Sequence, residues 1–503
     1  MKSASKNMIM SIVARVVSLV TGLIVQRYLL LAYGSTLNGL TTSINQAMAY
    51  LVLLEAGLGT ASVQALYDPL AEGDWGKVSG ILTATGKEYK KISAVFLAFL
   101  IGTSIIIPLA VSGEVEFATA GLLTLITGGS YVVSYVMGGK YKALLDADRR
   151  IYILYALDSV SVIISCVFRV LALNAGCGII IVQLINLACI AIKNIGYVLY
   201  VKTKYVKVDY KHAPDLKAIG KRWNVLIHSI AGIVVNNTDV IILTLFGSLK
   251  TVSVYGIYNM VFGQLSSIVQ TTFMQAPQSS FGRLFHADRG KFKSAYELYE
   301  FVLSLILFII CSIALVMILP FVEIYTSGVG DVNYIDSYLP VLFTLILLMN
   351  QIRIPALITI NVAGHFKETQ SGAIVEAIIN ITVSLFLFFF TDLGLYGLLI
   401  GTICSYLFRT TDVILYTHTH LVDSPIWTTV KNYAINFAAM AFVYCVFDII
   451  MPLRAESAIE WIAQAIAASI LAFITFAALN FVFNKEKVVE IYSFIKHKIN
   501  VKR

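Results

Sequence analysis

The sequence predicts an all-α polytopic membrane protein of about fourteen transmembrane helices, built as two six-helix bundles followed by a helix pair. Three observations predict it. The mean hydropathy is +0.81 and charged residues make up only 13% of 503, a composition that excludes a soluble enzyme. The apolar runs are each long enough to cross a hydrocarbon core of roughly 30 Å. Roughly 29 of the 37 Lys and Arg residues fall in the even-numbered gaps and the two termini, whereas the odd gaps hold only Lys250 and Arg454. That asymmetry predicts an even number of spans with both ends in the cytoplasm.

The expected spans are 7–32, 37–66, 93–112, 117–139, 151–173, 178–200, 224–246, 254–280, 299–322, 338–363, 372–391, 394–416, 433–451 and 459–483. The first begins directly after Lys2 and Lys6 and is too long for a signal-peptide core, so it reads as a retained helix. Tight polar turns on one side, such as Gly34-Ser35, Asn174-Ala175-Gly176 and Asp392-Leu393-Gly394, join antiparallel neighbours. The opposite connections are longer and basic, as in Lys140–Arg150 and in 201–223, which carries Lys202, Lys204, Lys207, Lys211, Lys217, Lys221 and Arg222. The expected organisation is a bundle over 1–200, a basic linker over 201–223, a second bundle over 224–418, a helix pair over 432–484 and a basic amphipathic cytoplasmic tail over 485–503. No gap is large enough for a separate soluble domain, and the net charge of +8 belongs to loops facing anionic lipid rather than to a nucleic-acid site.

The halves repeat. A shift of 218 places Asp158 on Glu376, Asn174 on Asp392 and Gly176 on Gly394; a shift near 213 or 214 places Gly34-Ser35 on Gly247-Ser248 and Asp74-Trp75-Gly76-Lys77 on Asp288-Arg289-Gly290-Lys291. Six spans return the chain to its starting side, so the repeats are parallel, and substrate sites in such proteins lie at the repeat interface.

Polar stripes mark helix faces turned to protein or water. The first span shows Ser11, Arg15, Ser18, Gly22 and Gln26; the second, Asn38, Thr41, Asn45, Glu55, Gly59 and Ser62; the seventh, His228, Gly232, Asn236 and Asp239; the eighth, Tyr255, Asn259, Gly263, Ser266 and Gln270; the tenth, Asn350, Arg353 and Asn361 beside Pro355. The neutral members serve either as glue between helices or as the lining of a wet cavity. A charge at a helix centre costs roughly 2.5 kcal/mol or more, so Arg15, Glu55, Asp239 and Arg353 are the stronger pointers to a cavity. Asp158, Arg169, Lys193, Glu376, Arg409 and Asp412 lie on later helices, where Asp158 with Lys193 and Glu376 with Arg409 are candidate pairs. A cavity lined by Arg15 and Arg353 would attract an anion, since a guanidinium grips phosphate through a planar fork. Glu55 and Asp239 would either pair with these cations or take a coupling H⁺ or Na⁺. The six cysteines show no ligand spacing, and His418-x-His420, with no nearby Cys or acid partner read in the sequence, is a weak candidate, so no metal site is expected.

The pattern resembles the multidrug/oligosaccharidyl-lipid/polysaccharide exporter superfamily, and within it the Wzx-like polysaccharide-biosynthesis flippases. The resemblance rests on the six-plus-six-plus-two layout, on Leu54-Glu55-Ala56-Gly57-Leu58-Gly59-Thr60-Ala61 running into Tyr67-Asp68-Pro69-Leu70, and on Lys6-Asn7 before a Ser/Thr/Gly-dotted span. It implies a V-shaped alternating-access transporter of the bacterial cell membrane, not an enzyme and without a cofactor. Its cargo would be an oligosaccharide on a polyprenyl diphosphate, turned from the cytoplasmic to the outer leaflet. The site residues expected on this reading are Arg15, Gln26, Asn45, Glu55, His228, Asn236, Asp239, Asn259, Gln270, Asn350 and Arg353. Membrane lipids and the glycosyltransferases or polymerase of the same pathway are the expected partners, around a monomer. The alternative is H⁺- or Na⁺-coupled export of drugs or small metabolites on the same fold, which usually relies on acids in the first bundle; the first span here has Arg15 and no acid. A membrane-embedded transferase is disfavoured, because no Asp-x-Asp, His-Asp pair or sizeable catalytic loop is present.

Overall fold

A computed structural model describes residues 2–219, 237–450, 457–490 and 493. Among them no strand occurs. The helices are α1 (Lys2–Glu72), α2 (Trp75–Ala110), α3 (Phe117–Val133), α4 (Gly139–Ala147), α5 (Ile151–Asn174), α6 (Ile179–Lys204), α7 (Asn237–Phe246), α8 (Leu249–Val269), α9 (Ala276–Ala287), α10 (Arg289–Thr326), α11 (Leu339–Ile352), α12 (Ile354–Ala363), α13 (Gln370–Phe390), α14 (Leu395–Thr417), α15 (Ile426–Ile450) and α16 (Ala458–Phe483). Eleven of the described helical segments are long and apolar enough to cross a membrane, so the chain is a multi-pass membrane protein. Its surface agrees: Ile459, Phe473 and Ile474 of α16 are 81%, 66% and 59% exposed, which suits contact with lipid rather than water.

The chain divides into two compact units, one of Met1–Val254 with Gly328–Val332, the other of Tyr255–Ser327 with Asn333–Arg503. In the first, α1 packs on α2 and α5, α2 on α3, and α6 on both α3 and α5. Leu40, Ile44, Met48, Phe96, Leu100 and Leu123 are at most 1% exposed and form its core. The first two expected spans form one helical run broken at Gly34, whose φ of 74° is open to glycine at no steric cost. The loop Gly328–Val332 is tied to that break, since the Asp331 carboxylate accepts from the Ser35 amide (2.9 Å) and hydroxyl (2.6 Å).

In the second unit α13 packs on α14, α11 on α10 and α14, and α10 on α15 and α16. Phe308, Val316, Phe447, Ala468 and Phe476 are buried there.

Helices begin earlier than the apolar runs do. The spans expected from 93 and 299 start at Trp75 and Arg289, each capped by an aspartate: Asp74 accepts from the Lys77 amide at 3.0 Å and Asp288 from the Lys291 amide at 3.0 Å. The stretch Lys140–Arg150, expected to be a connection, is helical through Ala147. Basic amphipathic turns extend the membrane helices here, and a hydropathy reading cannot see them. The described part of the 201–223 segment straps onto the first unit: the Asp209 amide donates to Ser79 Oγ (2.9 Å) and the Asp215 amide to Gly80 O (3.1 Å), while Val208 and Ile219 join the core. Of the tail, residues 485–490 and 493 are helical; the rest lies outside the described residues.

Candidate functional site

Polar stripes on four helices of the first unit meet around one cavity of about 500 Å³. The α1 stripe brings Ser18, Thr21, Gln26, Asn38, Thr41 and Asn45; α3 and the turn after it bring Thr127, Ser130, Tyr131 and Ser134; α5 brings Ser161, Ser165 and Arg169; α6 brings Gln183, Asn186 and Lys193. The four-residue spacing Ser161-Ser165-Arg169 puts those α5 side chains on one face, and Gln183, Asn186 and Lys193 do the same on α6. The segment Ser134–Gly138 is a π-helical turn inside the fourth span, an irregularity common at functional sites.

The cavity contains cations and no carboxylate. Lys193 is held by Asp158 at 2.8 Å, and the Tyr197 hydroxyl donates to the same oxygen of Asp158 at 2.9 Å, the pair expected from the sequence. Arg169 differs. Among the described residues no group accepts a hydrogen bond from it, and its Nε is buried without a partner. The Cys166 and Cys189 thiols line the same cavity.

A second pocket of about 390 Å³ in the same unit is lined by Glu55, Gln64, Tyr89, Lys142 and Asp146 among others. The Tyr89 hydroxyl donates to Glu55 Oε1 at 3.1 Å. Asp239 is only 4% exposed and sits one residue from Thr238, whose hydroxyl lies 3.3 Å from that of Tyr50.

In the second unit the charges balance one another. Arg353 stands at the break between α11 and α12. Its guanidinium donates to Glu376 Oε1 (2.7 Å) and Asn350 Oδ1 (2.9 Å) and lies 5.0 Å from the centre of the Tyr406 ring. Arg409 Nε is 3.8 Å from the other Glu376 oxygen, and its terminal nitrogen donates to Asp412 at 2.6 Å. Gly372 makes room for this cluster: a Cβ there would lie 2.1 Å from Asp412 and 2.3 Å from Arg409. Two cations and two anions thus form a neutral set.

Of the residues the sequence singles out, Gln26 and Asn45 meet in the first cavity and Glu55 lines the second. Asn350 and Arg353 touch each other; Arg353, expected to offer its fork to an anion, spends it on Glu376 in this arrangement. Arg15 is exposed on α1, Asn259 is half-buried on α8 and Gln270 is exposed just beyond it. His228 and Asn236 lie outside the described residues. The sequence pointed to Arg169 only as one of the charges on later helices that could face a cavity, and Gln183 and Asn186 were missed. Their signal was present in the stripes 158-161-165-169 and 183-186-190-193, which have the same helical spacing as those read on α1. Among the described residues no cluster of His, Cys, Asp or Glu suited to a metal occurs.

Neither a family model nor a curated protein matches the sequence. Solved structures do match the fold. A multidrug resistance MATE family transporter of the MOP superfamily, in an inward-facing conformation, superposes with a TM-score of 0.61 at 13% identity over 80% of this chain and 94% of that one. The lipid II flippase MurJ, in an inward closed conformation, gives 0.66 at 14% identity over 96% and 99%. A MATE structure in a bent conformation gives 0.51 at 12% identity over 87% and 97%. These superpositions show that the chain has the fold shared by MATE transporters of the MOP superfamily and the lipid II flippase MurJ.

Proposed function

We propose that this protein is a flippase that carries a polyprenyl-diphosphate-linked oligosaccharide from the cytoplasmic to the outer leaflet of a bacterial membrane by alternating access. The observation that supports it best is the first unit's cavity, where Arg169 and Lys193 stand among hydroxyls and amides with no acid in the lining. Hydroxyl and amide side chains suit the many donors and acceptors of a sugar, and a guanidinium suits a diphosphate. A pocket for cationic drugs would carry the opposite sign. On this reading Arg15, Gln26, Asn45, Asn259, Gln270, Asn350 and Arg353 contribute to cargo handling; His228 and Asn236, assigned the same role from the sequence, lie outside the described residues. The covering lipid is the only further partner the reading needs.

The test is reconstitution. In proteoliposomes holding a fluorophore-tagged polyprenyl-diphosphate oligosaccharide, the protein should expose inner-leaflet probe to a membrane-impermeant quencher faster than protein-free vesicles do. Equal quenching in both would remove the flippase reading. A second reading, ion-coupled export of small molecules, draws on Glu55 in its own pocket and on the buried Asp239. It predicts proton- or sodium-driven efflux of an organic cation such as ethidium, abolished by Glu55→Gln or Asp239→Asn.

A further inference from the structure

A guanidinium within a membrane helix that has no anion beside it is a site waiting for one. Arg169 is such a group: no acid lines its cavity, its Nε is buried without an acceptor, and the nearest carboxylate on its own helix, Asp158, is committed to Lys193 and Tyr197. It lies five residues from the end of α5, about 8 Å along the axis. Val25, Leu29 and Cys166, which line the same cavity, belong to an apolar cluster with Ala172, Leu173 and Val182.

Two side-chain amides line the same cavity. The Ser165 hydroxyl donates to Asn186 Oδ1 at 3.1 Å, which fixes that oxygen and leaves the Asn186 NH₂ turned elsewhere. Gln183, 5% exposed, lines the same space. A fork-shaped cation with two side-chain amides, free of competing acid, matches a tetrahedral oxyanion better than a spherical halide, because the fork makes two parallel bonds to one phosphoryl group.

We infer that Arg169, with Gln183 and Asn186, forms a phosphate-binding site inside the first helical unit. The ligand is a phosphoryl or diphosphoryl group, either free in solution or carried on a lipid. The site depends on the flippase reading only for which of these is its natural source.

Thermal melts of the purified full-length protein in phosphatidylcholine nanodiscs test it, with inorganic pyrophosphate in one arm and a polyprenyl diphosphate doped into the bilayer in the other. The wild type should melt at higher temperature with ligand. Arg169→Gln should weaken binding about tenfold or more, and Arg169→Lys, which keeps the charge and loses the fork, should recover only part of it. Without ligand, Arg169→Gln should melt no lower than the wild type, because the group it removes has no partner in the protein. A purely structural Arg169 would give the reverse: a lower ligand-free melt and an unchanged ligand shift. That result, or equal ligand shifts in the wild type and both variants, overturns the site. A response in both arms assigns a general phosphate site, and a response to the lipid alone assigns the cargo headgroup. Pyrophosphate binding in a protein that fails the flipping assay retires the flippase and keeps the site; flipping with Arg169-independent binding does the opposite.

Discussion

Glu376 holds two guanidinium groups at once, Arg353 at 2.7 Å and Arg409 at 3.8 Å, with all three side chains about nine-tenths buried. Removing its charge leaves two cations facing one remaining acid, Asp412. Glu376→Gln should therefore cost roughly 3–5 kcal/mol of stability, the range for breaking a buried pair from one side. Denaturant or thermal melts in detergent would measure it, and a loss below about 1 kcal/mol would show the cluster to be more hydrated than its geometry implies. Asp331 makes a pH-dependent counterpart outside the spans. Burial raises its carboxyl, but the Ser35 hydroxyl and amide bonds, with Lys250 close by, outweigh burial and hold it below its ordinary value. A carboxyl lowered in the folded state stabilises above its unfolded value, near pH 4, and loses that contribution as pH falls through the folded value. Below about pH 4 the wild type should thus lose melting temperature more steeply than Asp331→Asn. Parallel profiles would mean that the Gly328–Val332 loop is held by something other than this carboxylate.

Among the elements, the two halves solve the same local problems with the same residue types. Asp74 and Asp288 cap α2 and α10 with equal 3.0 Å bonds. Those helices carry prolines at 108 and 320, again about 212 apart. Gly176 and Gly394, matched by the 218 shift, both take positive φ, 72° and 50°, in the turns after α5 and α13. An alanine in that region strains its Cβ against the backbone. Gly176→Ala and Gly394→Ala should each cost about 1–2 kcal/mol. Gly178, two residues on, has φ of −67° and open space about it, so Gly178→Ala should be neutral or stabilise by a few tenths of a kcal/mol. Equal melting temperatures for Gly176→Ala and Gly178→Ala would contradict the turn geometry. Gly372 is constrained by space instead: its alanine variant must push Asp412 or Arg409 aside, at about 1–3 kcal/mol.

At the scale of the molecule, the all-helical, multi-pass class was legible in the sequence because hydropathy is a sum over many residues, so a local misreading does not upset it; about fourteen spans were expected, and eleven of the described helical segments are long and apolar enough to cross. Helix starts were less so. Hydropathy registers the apolar middle of α2 and α10 and not their amphipathic first turns, where the Asp cap is the only signal. Side-chain partners followed the same division. Lys193 with Asp158 could be proposed because they are opposite intramembrane charges on the outer helices of one half, whereas Arg353 with Glu376 joins helices whose register no spacing reveals. The orientation inferred from the charge asymmetry remains to be measured, and it gives a sharp expectation. If the even gaps face the cytoplasm, Lys250, which bonds the Asp331 carbonyl at 3.0 Å, faces outward, and Lys204 at the end of α6 faces inward. In a variant whose six cysteines are replaced by alanine or serine, Lys250→Cys should react with a membrane-impermeant maleimide added to intact cells. Lys204→Cys should react only after permeabilisation. An inverted pattern would reverse the direction proposed for the cargo, and labelling of both positions from one side would require an even number of crossings between them.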